Sequence, residues 1–157
     1  MSYVAKVLQA GEIIKHESRI HWIVYVPGLI FVILALAAYL FGRLAVPATW
    51  TTSDSWPMAI GAALLIIALY LLLGAFFSRW TTELAITDRR IIFKRGFIRR
   101  HTIEMNMDKI ESVDVDQSIL GRMFNYGDIT VRGTGTGLEP LRDIVDPLTF
   151  RNQVTAR

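Results

Sequence analysis

The sequence predicts an apolar α-helical hairpin followed by an antiparallel, strand-rich domain of α+β or all-β class. Three observations carry that expectation. Two uncharged apolar runs, Trp22–Phe41 and Pro57–Phe77, fill much of the first half of the chain. After Trp80 the texture changes to short segments that alternate apolar and polar with a period of two. Gly and Asp turns break these segments at the close spacing of a small barrel or sandwich.

The N-terminal stretch Ser2–His21 mixes Val4, Val7, Leu8, Ile13 and Ile14 with Lys6, Glu12, Lys15, Glu17 and Arg19. It is too long and too acidic for the charged start of a signal peptide. It reads as a short folded or membrane-surface segment packed on the C-terminal domain. The first apolar run follows at Trp22, with Pro27 and Gly28 near its start, where a kink is tolerated. At ~1.5 Å per residue each run reaches ~30 Å, the thickness of a hydrocarbon core. In the second run only Tyr70 has a polar side chain, whereas a buried helix of a soluble protein usually keeps a polar face. Both runs are therefore expected to span a membrane.

The connector Gly42–Trp56 carries only Arg43 as a base, whereas Lys6, Lys15 and Arg19 precede the first run and Arg79, Arg89 and Arg90 follow the second. That asymmetry predicts both termini in the cytoplasm and a multi-pass protein of the cytoplasmic (inner) membrane. Trp22, Trp50, Trp56 and Trp80 sit where interfacial anchors belong. The expected organisation is a cytoplasmic segment 1–21, a two-span hairpin 22–80 (spans 22–41 and 57–77), and a folded domain 81–157.

Within that domain, Thr81–Thr87 places Thr82, Leu84 and Ile86 on one face and Glu83, Ala85 and Thr87 on the other. Asp88-Arg89 predicts a tight turn and Arg90–Arg95 the returning strand. Thr102–Met107, Ser112–Asp116 and Asp128–Arg132 alternate in the same way. Ser118–Phe124 predicts one helical turn capped by Ser118. Asp146-Pro147 marks a final helix start, with Leu148, Phe150 and Val154 expected to face the sheet.

These residues resemble a known family. The stretch from Leu84 to Gly135, closing with Asp146–Val154, is similar to the bacterial pleckstrin-homology (PH)-like domain of small two-span membrane proteins. The resemblance rests on the T-D-R-R turn (Thr87–Arg90), the Q-S-x-L-G-R-x-F-x-Y-G segment (Gln117–Gly127), the Gly-Thr-Gly hairpin and the D-P helix start. Gly11-Glu12 and His21-Trp22 match the family's lead-in. It implies a PH-like antiparallel barrel capped by a C-terminal helix, and little about activity, because a fold does not fix a function.

The chemistry argues against an enzyme. The chain has no cysteine, and its serines lie in no nucleophile elbow. His16, His21 and His101 lack a companion nucleophile or metal partner; His21 reads as an interfacial residue. Gly133–Gly137 resembles a phosphate loop but leads into an extended segment containing Pro140, so a hairpin is expected. Asp108, Glu111, Asp114 and Asp116 read as a solvated sheet face. No cofactor or metal is expected, and a net charge of +3 is too small to announce a nucleic-acid binder.

One charge pattern remains. Arg89, Arg90, Lys94, Arg95, Arg99 and Arg100 follow one another with no acid among them, shortly after the second apolar run. Anionic headgroups sit at that depth, so these are the candidate lipid- or partner-binding residues. Ala59 with Ala63, and Gly74 with Ser78, are small residues four apart and are the candidate helix-packing positions. The expectation is a non-enzymatic membrane protein displaying a cytoplasmic PH-like module for self-association and for contact with membrane lipid or a membrane protein partner. The rival expectation is an oligomeric transport or channel component, against which stands the lack of buried charges in either run.

Overall fold

The computed structural model describes residues 4, 7–45, 56–96, 101–134 and 140–156. The chain divides into two compact units, one of residues 22–76 and the other of residues 1–21 with 77–157.

The apolar unit opens with a 3-10 turn, Trp22–Tyr25. Helix α1 (Val26–Ala45) follows, and after it α2 (Trp56–Thr81), which continues into the second unit. Pro27 stands in the first turn of α1, where its missing N–H costs no helical hydrogen bond. Small residues bring the two helices together. Gly28, Ala35 and Gly42 are buried on α1, and Gly61 and Ala68 on α2, each seven positions from the next. Seven residues are about two helical turns, so these positions fall on one stripe per helix. A Cβ at Gly28 would lie 2.7 Å from the Leu72 side chain, and one at Gly61 would lie 3.2 Å from the Ala35 carbonyl oxygen. Glycine there permits the close approach.

The second unit is built on two antiparallel sheets. The first has the order β1 (Ile14–Ser18), β2 (Glu83–Thr87), β3 (Arg90–Arg95), β4 (His101–Asn106). The second has the order β5 (Ile110–Asp116), β6 (Tyr126–Gly133), β7 (Leu141–Val145). A short helix α3 (Ile119–Phe124) joins β5 to β6, and helix α4 (Pro147–Thr155) ends the chain. An isolated bridge between Ile20 and Ile144 ties the residues just after β1 to β7.

The N-terminal stretch does more than pack against the domain. It supplies strand β1, paired with β2 from Ile14↔Thr87 to Ser18↔Leu84. Neighbouring strands are thus connected through residues 19–82, the stretch that contains α1 and α2. The N-terminal stretch also explains a departure from simple alternation. Leu84, Ala85, Ile86 and Thr87 are all buried, although a period of two leaves one face to solvent. Val4 packs with Ala85 and Ile92, and Ile14 packs against them, so the second face is covered as well.

At the C-terminal helix, Pro147, Phe150 and Val154 are buried. Leu148, expected to join them, is exposed. At ~100° per residue it is rotated well away from the 147–150–154 stripe. Asp146 precedes the helix as expected, but in the left-handed region (φ 49°) and without a side-chain capping bond.

Candidate functional site

Thr87 and Arg90 of the T-D-R-R turn form a buried ionic lock with Glu12. Arg90 donates from Nε to Glu12 Oε1 at 3.0 Å and from Nη2 to Glu12 Oε2 at 2.9 Å. Its Nη1 donates to Glu104 Oε2 at 2.6 Å, and Nη2 also reaches the Val7 carbonyl at 3.0 Å. The Thr87 hydroxyl donates to Glu12 Oε1 at 2.7 Å, and Arg90 N–H donates back to Thr87 Oγ1 at 2.9 Å. The Glu12 side chain is fully covered. The guanidinium fork holds the Glu12 carboxyl down to about 2, against desolvation, and the two glutamates raise Arg90 above its ordinary value.

Arg90, expected among the lipid- or partner-binding cations, is buried and paired instead. Its partners lie far away in sequence or on a neighbouring strand, where a reading of local charge does not find them.

The other members of the basic run separate. Arg89 is exposed on the β2–β3 turn, 3.7 Å from Asp88 Oδ2. Lys94 pairs with Glu83 at 3.5 Å and is mostly covered. Arg95 is exposed at the end of β3, opposite His101. Arg99 and Arg100 lie outside the described residues. Because β3 returns antiparallel to β2, Lys94 and Arg95 stand beside the start of β2, where the chain arrives from α2. Arg89 stands at the opposite end, ~20 Å away along a six-residue strand.

Of the aromatic anchors, Trp22, Trp56 and Trp80 are exposed, and Trp56 lies tilted against Phe41 at 6.4 Å. Trp50 is outside the described residues. Of the helix-packing positions, Ala59, Ala63 and Gly74 are exposed and Ser78 is half-buried. A Cβ at Gly74 would meet nothing within 4 Å. The close packing inside the hairpin uses Gly28, Ala35, Gly61 and Ala68 instead. Seven-residue spacing was the available signal for them.

His21 is placed differently from the interfacial reading. It is buried and stacks on Tyr126, with ring centroids 5.0 Å apart and planes 17° from parallel. Its backbone N–H donates to the Asp143 carbonyl at 2.7 Å. Burial, aided by Arg79, lowers the imidazole from its ordinary value, while Asp143 opposes the shift. Burial and the Asp128 carboxylate raise Asp143.

The Gln117–Gly127 segment is a rigid mount. The Ser118 hydroxyl accepts the Gly121 N–H at 3.0 Å, capping α3 as expected. Gln117 Nε2 donates to the Tyr126 carbonyl at 3.0 Å. Asn125 closes the helix in the left-handed region, φ 55°. A Cβ at Gly121 would lie 2.7 Å from the Tyr126 carbonyl oxygen, so only glycine allows this contact.

The acidic face behaves as a solvated one: Asp114 is exposed and pairs with Arg132 at 2.9 Å. Among the described residues no group of three or more potential metal-ligating side chains is present. The expected Gly-Thr-Gly hairpin falls largely outside the described residues.

The bacterial PH domain model matches residues 10–157, and the chain belongs to that family. Its second unit is a PH-like domain of two antiparallel sheets with helices. Neither a curated protein nor a solved structure matches it. Membership supports an interaction module for lipid or protein, a class generally without catalysis.

Proposed function

We propose that the chain is a non-enzymatic integral membrane protein that displays a cytoplasmic PH-like module through two spans. One observation carries this reading. Residues 22–44 and 56–81 form helices of 23 and 26 residues, long and apolar enough to cross a bilayer, and only 11% of an 18-residue apolar stretch in each is buried. The core helix of a soluble protein would be mostly covered. The helices connect to the strand-rich unit through the adjacent strands β1 and β2.

The module would act through lipid, further copies of itself or a membrane protein partner. Arg95, with Arg99 and Arg100 by sequence, is the lipid-facing candidate, because that end of β3 adjoins the arrival from α2. Each cation near an anionic surface contributes ~1 kcal/mol, so the run orients the domain and the spans anchor it. Homo-oligomerisation draws support from Ala59, Ala63 and Gly74. On a helical projection they lie ~130–170° from the Gly61–Ala68 stripe that packs inside the hairpin.

The test is topology. The chain has no cysteine. In intact cells, Ser53→Cys should react with an impermeant thiol reagent added outside, and Ser112→Cys should react only after permeabilisation. Reversed labelling, or equal labelling of both, overturns the reading.

A further inference from the structure

Helix α3 turns its apolar side chains outward. Ile119, Leu120, Met123 and Phe124 are 81, 55, 71 and 43% exposed. At ~100° per residue they share one arc of about 140°. Gly121, the one buried residue of the helix, lies on the opposite side against Tyr126. A surface helix ordinarily places large apolar residues inward and small or polar ones outward. Here the order is inverted, and the Ser118, Gln117 and Asn125 bonds hold the inversion in place. Contiguous apolar exposure on a rigid mount marks a surface that is covered in use.

The position of α3 indicates what covers it. Tyr126, two residues beyond the end of α3, stacks on His21, the residue directly before the first apolar helix segment. The Asn125 carbonyl accepts the Asp146 N–H at 3.0 Å, and Val145 donates to the Arg19 carbonyl at 3.0 Å. Ser18, at the end of β1, pairs with Leu84, next to the start of β2. Both crossings of the chain between the strand-rich unit and the apolar helices therefore leave from the same end of that unit, and α3 is at that end. Arg122, the one charged residue of α3, is exposed and flanks the apolar arc. That combination complements an interfacial layer, where lipid phosphates lie directly above acyl chains.

We propose that α3 is a membrane wedge. Ile119, Leu120, Met123 and Phe124 enter the headgroup–acyl boundary of the bilayer that holds α1 and α2, and Arg122 pairs with a lipid phosphate. This rests on the membrane-spanning reading above. The wedge gives the PH-like domain a third attachment to the membrane beside its two covalent connections to the helices.

The test uses the full chain in lipid nanodiscs, with single cysteines carrying an environment-sensitive fluorophore and nitroxide lipids as quenchers. Met123→Cys and Ile119→Cys should emit blue-shifted. A quencher ~5–10 Å below the headgroups should quench them more than one at the bilayer centre. Ser112→Cys, on β5, should stay red-shifted and be quenched several-fold less. Leu69→Cys, in α2, should respond most to the central quencher. If Leu69→Cys is not quenched, the spanning reading fails, and the wedge with it. If Leu69→Cys is quenched while Met123→Cys behaves like Ser112→Cys, only the wedge is overturned. A Met123→Cys label that is blue-shifted but unquenched, with Met123→Cys chains crosslinking to each other, assigns the patch to a second copy and also overturns it. A background Arg122→Glu substitution should weaken shallow quenching at Met123→Cys without altering Leu69→Cys; no change there removes the phosphate contact from the proposal.

Discussion

Glu12 and Arg90, 78 residues apart, form a two-point carboxylate–guanidinium fork with bonds of 2.9 and 3.0 Å. The pair fastens the N-terminal stretch to the turn end of the first sheet. Removing Arg90 leaves a buried carboxylate without its counter-ion and with two of its four described hydrogen bonds gone. We therefore expect Arg90→Ala to destabilise the strand unit by about 3–5 kcal/mol, and Glu12→Gln by less, since the amide still accepts one bond. Thermal unfolding of the detergent-solubilised protein followed by tryptophan fluorescence measures this. Wild-type-like melting of Arg90→Ala would remove the lock from the account.

The same pair sets an acid limit. The folded pKa of Glu12, about 2, lies below its ordinary 4.5. Its contribution is complete above 4.5 and is lost as pH falls toward 2, on the order of 3 kcal/mol in all. Glu12→Gln should lower stability near neutrality without changing the slope there, and should flatten the profile in that window. An unaltered slope below pH 4.5 contradicts this.

His21 adds a second window. Its lowered pKa means that the folded state prefers the neutral ring. Its contribution is present above its ordinary 6.5 and lost as pH falls through the lowered value. His21→Phe keeps an aromatic ring against Tyr126 and removes the titration. Comparing denaturation midpoints at pH 7.5 and 5.5 should show a smaller difference in His21→Phe than in the wild type. Equal differences would show that His21 titrates without linkage to folding.

Domain boundaries follow from strand pairing. A fragment of residues 81–157 lacks β1 and Glu12, leaving β2 as an open edge and Arg90 without its fork. It should be unfolded or aggregated. A chain in which a short Gly-rich linker replaces residues 22–80 restores the β1–β2 hairpin. It should give dispersed amide NMR spectra without detergent. If the fragment alone folds equally well, β1 is dispensable.

Helix packing separates two kinds of glycine. Gly61→Leu should disrupt the hairpin, because a Cβ there already crowds the Ala35 carbonyl oxygen at 3.2 Å. Gly74→Leu has open space and should leave the hairpin intact while reducing self-association. Native mass spectrometry from mild detergent, together with melting curves, reads both. An oligomer unaffected by Gly74→Leu places the contact elsewhere.

Much of this architecture is legible in the residues. β3 occupies Arg90–Arg95 as the alternation and turn signals indicate, and Ser118 caps α3 by the rule for helix starts. What escaped is non-local. Nothing near Ile14–Ser18 announces that its partner lies beyond two apolar helices. Arg89 and Arg90 look equivalent in sequence; one is exposed and the other buried, because only Arg90 lies on the strand face that meets Glu12 and Glu104. The outward apolar face of α3 is equally hidden, since a six-residue helix is too short for periodicity to reveal which side is buried.

The β1–β2 connection also sets an order of events during synthesis. Ile14–Ser18 is made early, but its partner Glu83–Thr87 appears only after residues 19–82. At ~5–20 residues per second the interval is roughly 3–13 s, during which β1 has no edge to join. The first sheet consequently cannot close on a chain that stalls between the two apolar helices. A ribosome arrested there carries an unzipped strand and an unpaired Glu12, so completion of the domain is itself a record that both helices were made first.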